Sequence, residues 1–316
     1  MPARLLVTLG DPRGIGPEVT ARALSVLRDE MSDLEVTLFG RDPRGALTGL
    51  DLEAASEVDF DGSPRSAGSV AGRAIEAAVE AALAGHGDAI VTAPIHKPAL
   101  REAGWSEPGH TELLMRLAGA DQVGMLMAAE QTGLGGPLRV LLATTHVPLR
   151  DVPDLVTTEL LVSQTRLLFG ELRDRFAIPS PRIALCALNP HASDAGLFGD
   201  EEARVFGPAL ERLAELGVVG PVPADTVFTR ALGGEFDAVV APYHAVGMAA
   251  FKTVGFGRGV NVTLGLPFPR TSPDHGTAFD RVGTDSIDAS SMVEALRLGL
   301  RLAGRAGGAS PDARGL

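Results

Sequence analysis

The sequence predicts an α/β protein with a largely parallel sheet, and three observations carry that reading. Short apolar runs alternate with helical patterns along the whole chain. Several runs are apolar at every position, as strands covered on both faces are. Polar clusters follow directly after many of them, where open α/β sheets bind ligands.

The first strand is expected at residues 5–9. The loop Gly10-Asp-Pro-Arg-Gly-Ile-Gly-Pro-Glu18 follows, and then a helix over 19–27. Such a unit turns backbone N–H groups toward a ligand at the helix N-terminus. The loop lacks the spacing of a dinucleotide fingerprint and the Gly-Lys-Ser/Thr of a P-loop. A second strand is expected at 34–40, a turn-rich stretch at 49–68 and an Ala-rich helix at 69–83. A strand at 89–92 runs into Ala93-Pro-Ile-His-Lys-Pro98. Pro108-Gly-His-Thr-Glu112 opens a helix, so His110 and Thr111 stand where an anion is held well; Thr111 can equally serve as an N-cap.

Strands at 123–128 and 138–143 are expected to pair across the loop 130–137. The second leads into Thr144-Thr-His146. A helix is expected at 155–169, and a strand at 183–188 leads into Asn189-Pro-His191. A helix at 201–216 comes next, and residues 220–223 precede a short loop to Asp225. The strand at 237–241 ends at Pro242 and delivers His244. Lys252, Asn261, Arg270 and the loop Asp274-His275-Gly276-Thr277 follow within one segment. A helix at 290–303 and a Gly/Ala/Ser tail, expected to fray, close the chain. Two lobes with a cleft between them are expected. Residues 1–140 with 270–316 form the first, and residues 141–269 the second.

Composition narrows the function. At 316 residues and 45% hydrophobic content the chain is long enough for real cores. A net charge of −12 disfavours a nucleic-acid partner. The single cysteine, Cys186, excludes an intrachain disulfide and a cysteine zinc site. No charged-then-apolar leader precedes the first strand, and no apolar run approaches the ~20 residues of a membrane span. A cytoplasmic protein is expected.

His146, His191 and His244 each follow a buried strand, and parallel strands bring such ends to one edge. Three imidazoles are the usual protein share of a catalytic zinc site. Lys252, Asn261 and Arg270 suit a phosphorylated or carboxylated small molecule. No serine-hydrolase elbow and no carboxylate pair of the glycosidase kind is evident.

These motifs, taken in order, resemble the PdxA family of 4-hydroxythreonine-4-phosphate dehydrogenases and their paralogues. The resemblance runs from Gly10–Glu18 through Thr92–Lys97, Pro108–Glu112, Thr144–Asp151, Asn189–Ala192 and Asn261–Phe268 to Asp274–Ala278. It implies a fold like that of isocitrate and isopropylmalate dehydrogenases and a homodimer with shared active sites. It also implies a divalent metal (Zn, Mg, Co or Mn) on His146, His191 and His244, with His244 reaching in from the partner. Substrate contacts would be His110, Thr111, Lys252, Asn261 and Arg270, with Lys252 as the proton-transfer group. Asp274, His275, Gly276 and Thr277 would receive the adenosine half of NAD or NADP.

The implied reaction is NAD(P)-dependent oxidation, with decarboxylation, of a phosphorylated 3-hydroxy acid. Paralogues act on 4-phospho-D-threonate or erythronate, or on aromatic dihydrodiol acids. A non-catalytic metal- or ligand-binding protein on the same fold is the reading from another class. One departure bears on substrate: the family pattern Tyr-His-Asp-Gln-Gly is here Tyr243-His-Ala-Val-Gly247. A second lies in the cofactor loop, where Phe279-Asp-Arg-Val-Gly283 replaces Leu-Asp-Ile-Ala-Gly.

Overall fold

A computed structural model describes residues 4–31, 34–48, 52–53 and 59–304. Parts of the turn-rich stretch 49–68 and the tail beyond residue 304 lie outside the described residues. The chain divides into two compact units, Met1–Gly109 with Phe268–Leu316, and His110–Pro267.

The first unit starts with β1 (Arg4–Thr8), α1 (Gly16–Glu30), β2 (Glu35–Phe39) and β3 (Leu52–Glu53). It continues with α2 (Pro64–Leu83), β4 (Ala89–Thr92) and α3 (Lys97–Glu102), and the returning segment adds β11 (Arg270–Pro273) and α10 (Ser290–Leu302). Its strands run in the order β3-β2-β1-β4-β11, all parallel. From β1 the chain winds through α1 toward one edge, then through α2 to the other side of β1. The strand order therefore reverses between β1 and β4, and a crevice at such a switch point is the place for a ligand.

The helices of this unit are built as their sequences suggest. Pro17 and Glu18 occupy the first turn of α1, where a missing N–H and a negative charge are both tolerated. Ser63 caps α2 by accepting from the Ser66 N–H at 3.2 Å. The small residues of α2 admit α3 closely: a Cβ on Gly68 would lie 1.9 Å from the Ala99 carbonyl oxygen.

The second unit contains α4 (His110–Ala118), β5 (Gly124–Ala129), β6 (Leu138–Leu142), α5 (Val152–Leu155), α6 (Thr158–Asp174) and β7 (Ile183–Cys186). Then come α7 (Gly207–Arg212), β8 (Val219–Val222), α8 (Ala224–Leu232), β9 (Ala238–Ala241), α9 (His244–Gly255) and β10 (Val260–Leu264). Its strand order is β10-β5-β6-β9-β7-β8. The four strands β6, β9, β7 and β8 are parallel, and β5 runs antiparallel to both β6 and β10. The short β5–β6 loop dictates the antiparallel pairing, since a parallel return needs a crossover of a dozen residues or more.

The core of this unit gathers Val140, Leu142, Cys186, Val239, Ala241 and Phe251. Burial, with the charge of Glu202 behind it, pushes the Cys186 thiol up to about 12, so it serves as a small hydrophobe.

Several elements differ from the sequence expectation. The division between units falls at Gly109/His110 and Pro267/Phe268, where residues 140 and 270 were expected to mark it. The β5–β6 hairpin accounts for the shift, because it pairs with β9 and β10 of the second unit. The helix expected at 155–169 is α6, started by Thr157, whose side chain accepts from the Leu160 N–H at 3.1 Å. The helix expected at 201–216 is broken into a π-turn (Glu202–Phe206), α7 and a 3-10 turn (Ala214–Leu216). Pro208 has no N–H to continue the ladder, so the helix restarts there. Val219–Val222, assigned no element from sequence, is β8; an edge strand tolerates its proline.

Candidate active site

In the second unit, β6 and β9 are neighbours and their continuations are tied together. Thr144 donates to the Pro242 carbonyl through both its N–H (3.2 Å) and its hydroxyl (2.8 Å). His146 and His244 each stand two residues beyond that tie. Their ring centroids are 5.5 Å apart and the planes are tilted by 41°. The two imidazoles open onto a cavity of about 280 Å³ lined also by Thr145, Val147, Leu149, Tyr243 and Ala245. A pair of imidazoles this close is the donor chemistry of a divalent metal site.

His191 does not join them. Among the described residues, no three His, Cys, Asp or Glu side chains come together as a metal site. His191 is exposed and lies on the turn after β7. The sequence expectation drew His244 from a partner chain. The structure pairs His244 with His146 in one chain, and the imidazole that stands apart is His191.

The His191 turn has an unusual backbone. Residues 191–195 all have left-handed φ, at 53°, 57°, 68°, 45° and 57°, and none is glycine. Each such residue costs about 1–2 kcal/mol. The turn is gripped by Glu202, which is 5% exposed. One Glu202 oxygen accepts from the Leu188 N–H (2.9 Å) and the Asn189 N–H (2.7 Å). The other accepts from Asn189 Nδ2 (2.9 Å) and from the Ser193 hydroxyl. Burial opposes the charge on Glu202, but the bonds from Asn189 and Ser193 outweigh it and hold the carboxyl below its usual value.

The remaining expected contacts in this unit are spread over three elements. His110 and Thr111 form the first turn of α4 and are half-buried. Lys252 is half-buried on α9. Asn261 lies on β10 opposite Met127 of β5, and its Oδ1 is buried with no hydrogen-bond partner. A buried acceptor left open costs free energy, and a ligand donor is one way to satisfy it.

Ala245 and Val246 separate in space. Ala245 lines the histidine cavity, whereas Val246 packs against the core. Of the two departing residues, only Ala245 therefore faces the cavity, because successive residues at the start of α9 point about 100° apart.

In the first unit, the loops after β1 and β4 meet at the switch point. Gly10 has φ +70°, and a Cβ there would lie 2.1 Å from the Pro94 carbonyl oxygen. The cofactor loop expected at Asp274–Thr277 closes onto the glycine loop: Ile15 N–H donates to the Thr277 carbonyl at 3.0 Å. A Cβ on Gly14 would come within 2.8 Å of that same oxygen. Asp274 is tied to α10 by its N–H, which donates to Ser291 Oγ at 3.0 Å. His275 Nδ1 lies 3.0 Å from the Gly276 carbonyl and must donate to it. Its Nε2 is buried and without a hydrogen-bond partner. Backbone passing this close to a helix N-terminus, with one open imidazole nitrogen, fits a nucleotide cofactor.

Arg270 is 2% exposed and donates to Thr92 Oγ1 at 2.5 Å, at the end of β4. Burial pulls its guanidinium down to about 9, which leaves it charged at neutral pH. Arg270 is thus a fixed interior charge, where the sequence suggested an arm displayed to substrate.

Four features escaped the sequence reading. Glu202 is one; its only sequence signal is a Glu-Glu pair soon after Asn-Pro-His. Thr144 is another. The others are Arg13, whose guanidinium lies 5.3 Å above the Phe279 ring, and His96, which meets that ring edge-on at 5.3 Å.

Comparisons with known proteins show the family and the fold. A family model described as pyridoxal phosphate biosynthetic protein PdxA matches residues 14–299. The 4-hydroxythreonine-4-phosphate dehydrogenase of Chromobacterium violaceum is 40% identical over 332 residues, covering 97% of this chain and 99% of its own. A crystal structure of a 4-hydroxythreonine-4-phosphate dehydrogenase from Burkholderia phymatum gives a TM-score of 0.78 at 37% identity, covering 96% of this chain and 98% of that one. The isocitrate dehydrogenase of Methylococcus capsulatus, at 14% identity and a TM-score of 0.55, covers 96% of this chain and 86% of its own. It shares the fold, as the sequence led one to expect.

Proposed function

The chain belongs to the PdxA family and is a dehydrogenase, and from that premise we propose a metal-dependent, NAD(P)-linked oxidation of a phosphorylated 3-hydroxy acid, followed by loss of CO2. The observation that carries the reading is the His146–His244 pair at the ends of two adjacent parallel strands. His146, His244 and His191 would hold a divalent metal, which would supply a Lewis acid for the substrate hydroxyl.

One chain brings two of those imidazoles together, so the third is assigned to His191 of the partner subunit in a homodimer. Apolar surface supports that assembly. Leu149 beside the cavity is 65% exposed, and Leu197 and Phe198 beyond the His191 turn are 71% and 45% exposed. Exposed apolar residues grouped around polar functional groups are the usual mark of a buried contact.

Lys252 takes the hydroxyl proton as hydride leaves the carbon. Its place on α9, the helix that His244 begins, supports that role. His110 and Thr111 hold the phosphate at the N-terminus of α4. Asn261 Oδ1 accepts from a substrate hydroxyl or amine, which would satisfy its open lone pairs. Arg270 contributes a fixed positive charge behind β4. Asp274, His275, Gly276 and Thr277 receive the adenosine half of the dinucleotide, with His275 Nε2 hydrogen-bonding to it. Reaction in the cytoplasm accords with such a substrate. Among the described residues, no helix is long and apolar enough to cross a membrane.

Ala245 favours a second substrate within this class. The family's Asp at this position would face the cavity and accept from a substrate amine. Alanine removes that acceptor, and a site that does not bond a group selects weakly for it. The enzyme is expected to use phosphorylated threonate or erythronate at least as well as 4-phosphohydroxy-threonine. Ala245→Asp, alone or with Val246→Gln, should shift kcat/KM toward the amino substrate by about tenfold or more. Tenfold wild-type selectivity for the amino substrate would contradict the expectation, as would an unchanged preference in Ala245→Asp.

A further inference from the structure

We infer that Glu202 is a positioning residue for His191: its carboxylate fastens the residues on either side of that histidine and so fixes where the imidazole stands. The inference deepens the metal assignment above and rests on it.

The geometry is specific. His191 lies between Asn189 and Ser193, and Glu202 holds both. It accepts four bonds, two on each oxygen, including the Leu188 N–H at the end of β7. The strand end, the asparagine and the turn are thereby joined to one buried group. Ser193 is itself buried, so its hydroxyl has little access to water as a substitute.

The rest of the turn is held by few other bonds. Ala192 N–H donates to the Asn189 carbonyl at 3.2 Å, Gly196 and Phe198 N–H groups donate to the Ser193 carbonyl at 3.0 and 3.1 Å, and Leu197 N–H donates to the Asp194 carbonyl at 3.3 Å. Glu201 also accepts from Asn189 Nδ2, at 2.7 Å. Apart from the Leu197 bond, all of these centre on the two residues that Glu202 grips. Five consecutive left-handed residues without glycine relax elsewhere unless something over-determines them.

An ionised carboxylate satisfies the whole donor set. It is acceptor-only, and four donors face it. An amide of the same shape would keep one acceptor oxygen and turn an NH2 toward Asn189 Nδ2, placing donor against donor. Glu202→Gln therefore breaks the Asn189 Nδ2 and Ser193 half of the grip, while its remaining oxygen still accepts from the Leu188 and Asn189 N–H groups and the volume of the side chain stays in place.

The test uses the full-length protein and zinc as the probe. Hydrogen exchange is read across residues 188–198, and zinc affinity by competition with a chromophoric chelator. In Glu202→Gln, exchange in that segment should quicken tenfold or more while β6 and β9 stay as in the wild type. Zinc binding should weaken at least tenfold, and kcat should fall with little change in KM for the nucleotide. Ser193→Ala, a smaller change that keeps the carboxylate, should give a partial version of both effects. It also covers the case in which Glu202→Gln does not fold.

Zinc affinity within twofold of wild type in both variants, with His191→Ala weakened, would overturn the inference. Unchanged exchange across 188–198 would overturn it as well. If His191→Ala itself binds zinc like the wild type, the metal assignment fails, and that variant alone identifies this cause.

Discussion

His146→Ala is expected to lose about 10³-fold or more in kcat/KM while keeping its far-UV circular dichroism and thermal transition. Lewis-acid stabilisation of developing charge supplies several kcal/mol, and each 1.4 kcal/mol is about tenfold in rate. His146 lies on an exposed loop beyond β6, so its loss leaves the core of the second unit untouched. Its neighbour in the chain, His244, should behave the same way. The pairing adds a sharper expectation. If the third imidazole comes from the partner subunit, co-expressed His146→Ala and His191→Ala chains form mixed dimers with one intact site, and part of the activity returns. His146→Ala with His244→Ala should not complement, because both ligands belong to the same half of the site. Complementation in the second mixture but not the first would reverse the assignment of His191.

Lys252→Met should lower kcat by about 10²–10⁴-fold, the usual share of a positioned acid–base group. A charge-only role would leave a different record. Lys252→Arg keeps a cation at that place but does not give up its proton in this pH range. Proton transfer by Lys252 therefore requires both variants to lose kcat. A role confined to holding the substrate anion would spare kcat in Lys252→Arg and raise KM in Lys252→Met. Steady-state kinetics with saturating nucleotide separates the two.

The strand–helix alternation and the histidine positions could be read from sequence because both are local patterns. The residues of β4, β7 and β9 are buried throughout, so their runs carry no polar interruption. That reading put all three histidines on one sheet edge and drew His244 from a partner, whereas the structure pairs His146 with His244 in one chain. Other features depend on partners distant in sequence. Glu202 meets Leu188 and Asn189 across a turn whose left-handed backbone no glycine announces. Val246 departs from the family pattern together with Ala245, but α9 turns it toward the core. Arg270 read as a displayed cation, and only the packing around β4 and β11 reveals it as buried. The β5–β6 hairpin moved the unit boundary because pairing direction is set by loop length and not by strand composition.

Absorbance of the reduced nicotinamide tests the account most directly. The enzyme is stripped with chelator, mixed with NAD or NADP and 4-phosphohydroxy-threonine, phosphothreonate or phosphoerythronate, and then given back zinc, magnesium, cobalt or manganese. Reduced nucleotide should accumulate with at least one of these substrates, only after metal is restored, and not in His146→Ala. Turnover at the full rate in the stripped enzyme, or in His146→Ala, would contradict a metal held by these histidines.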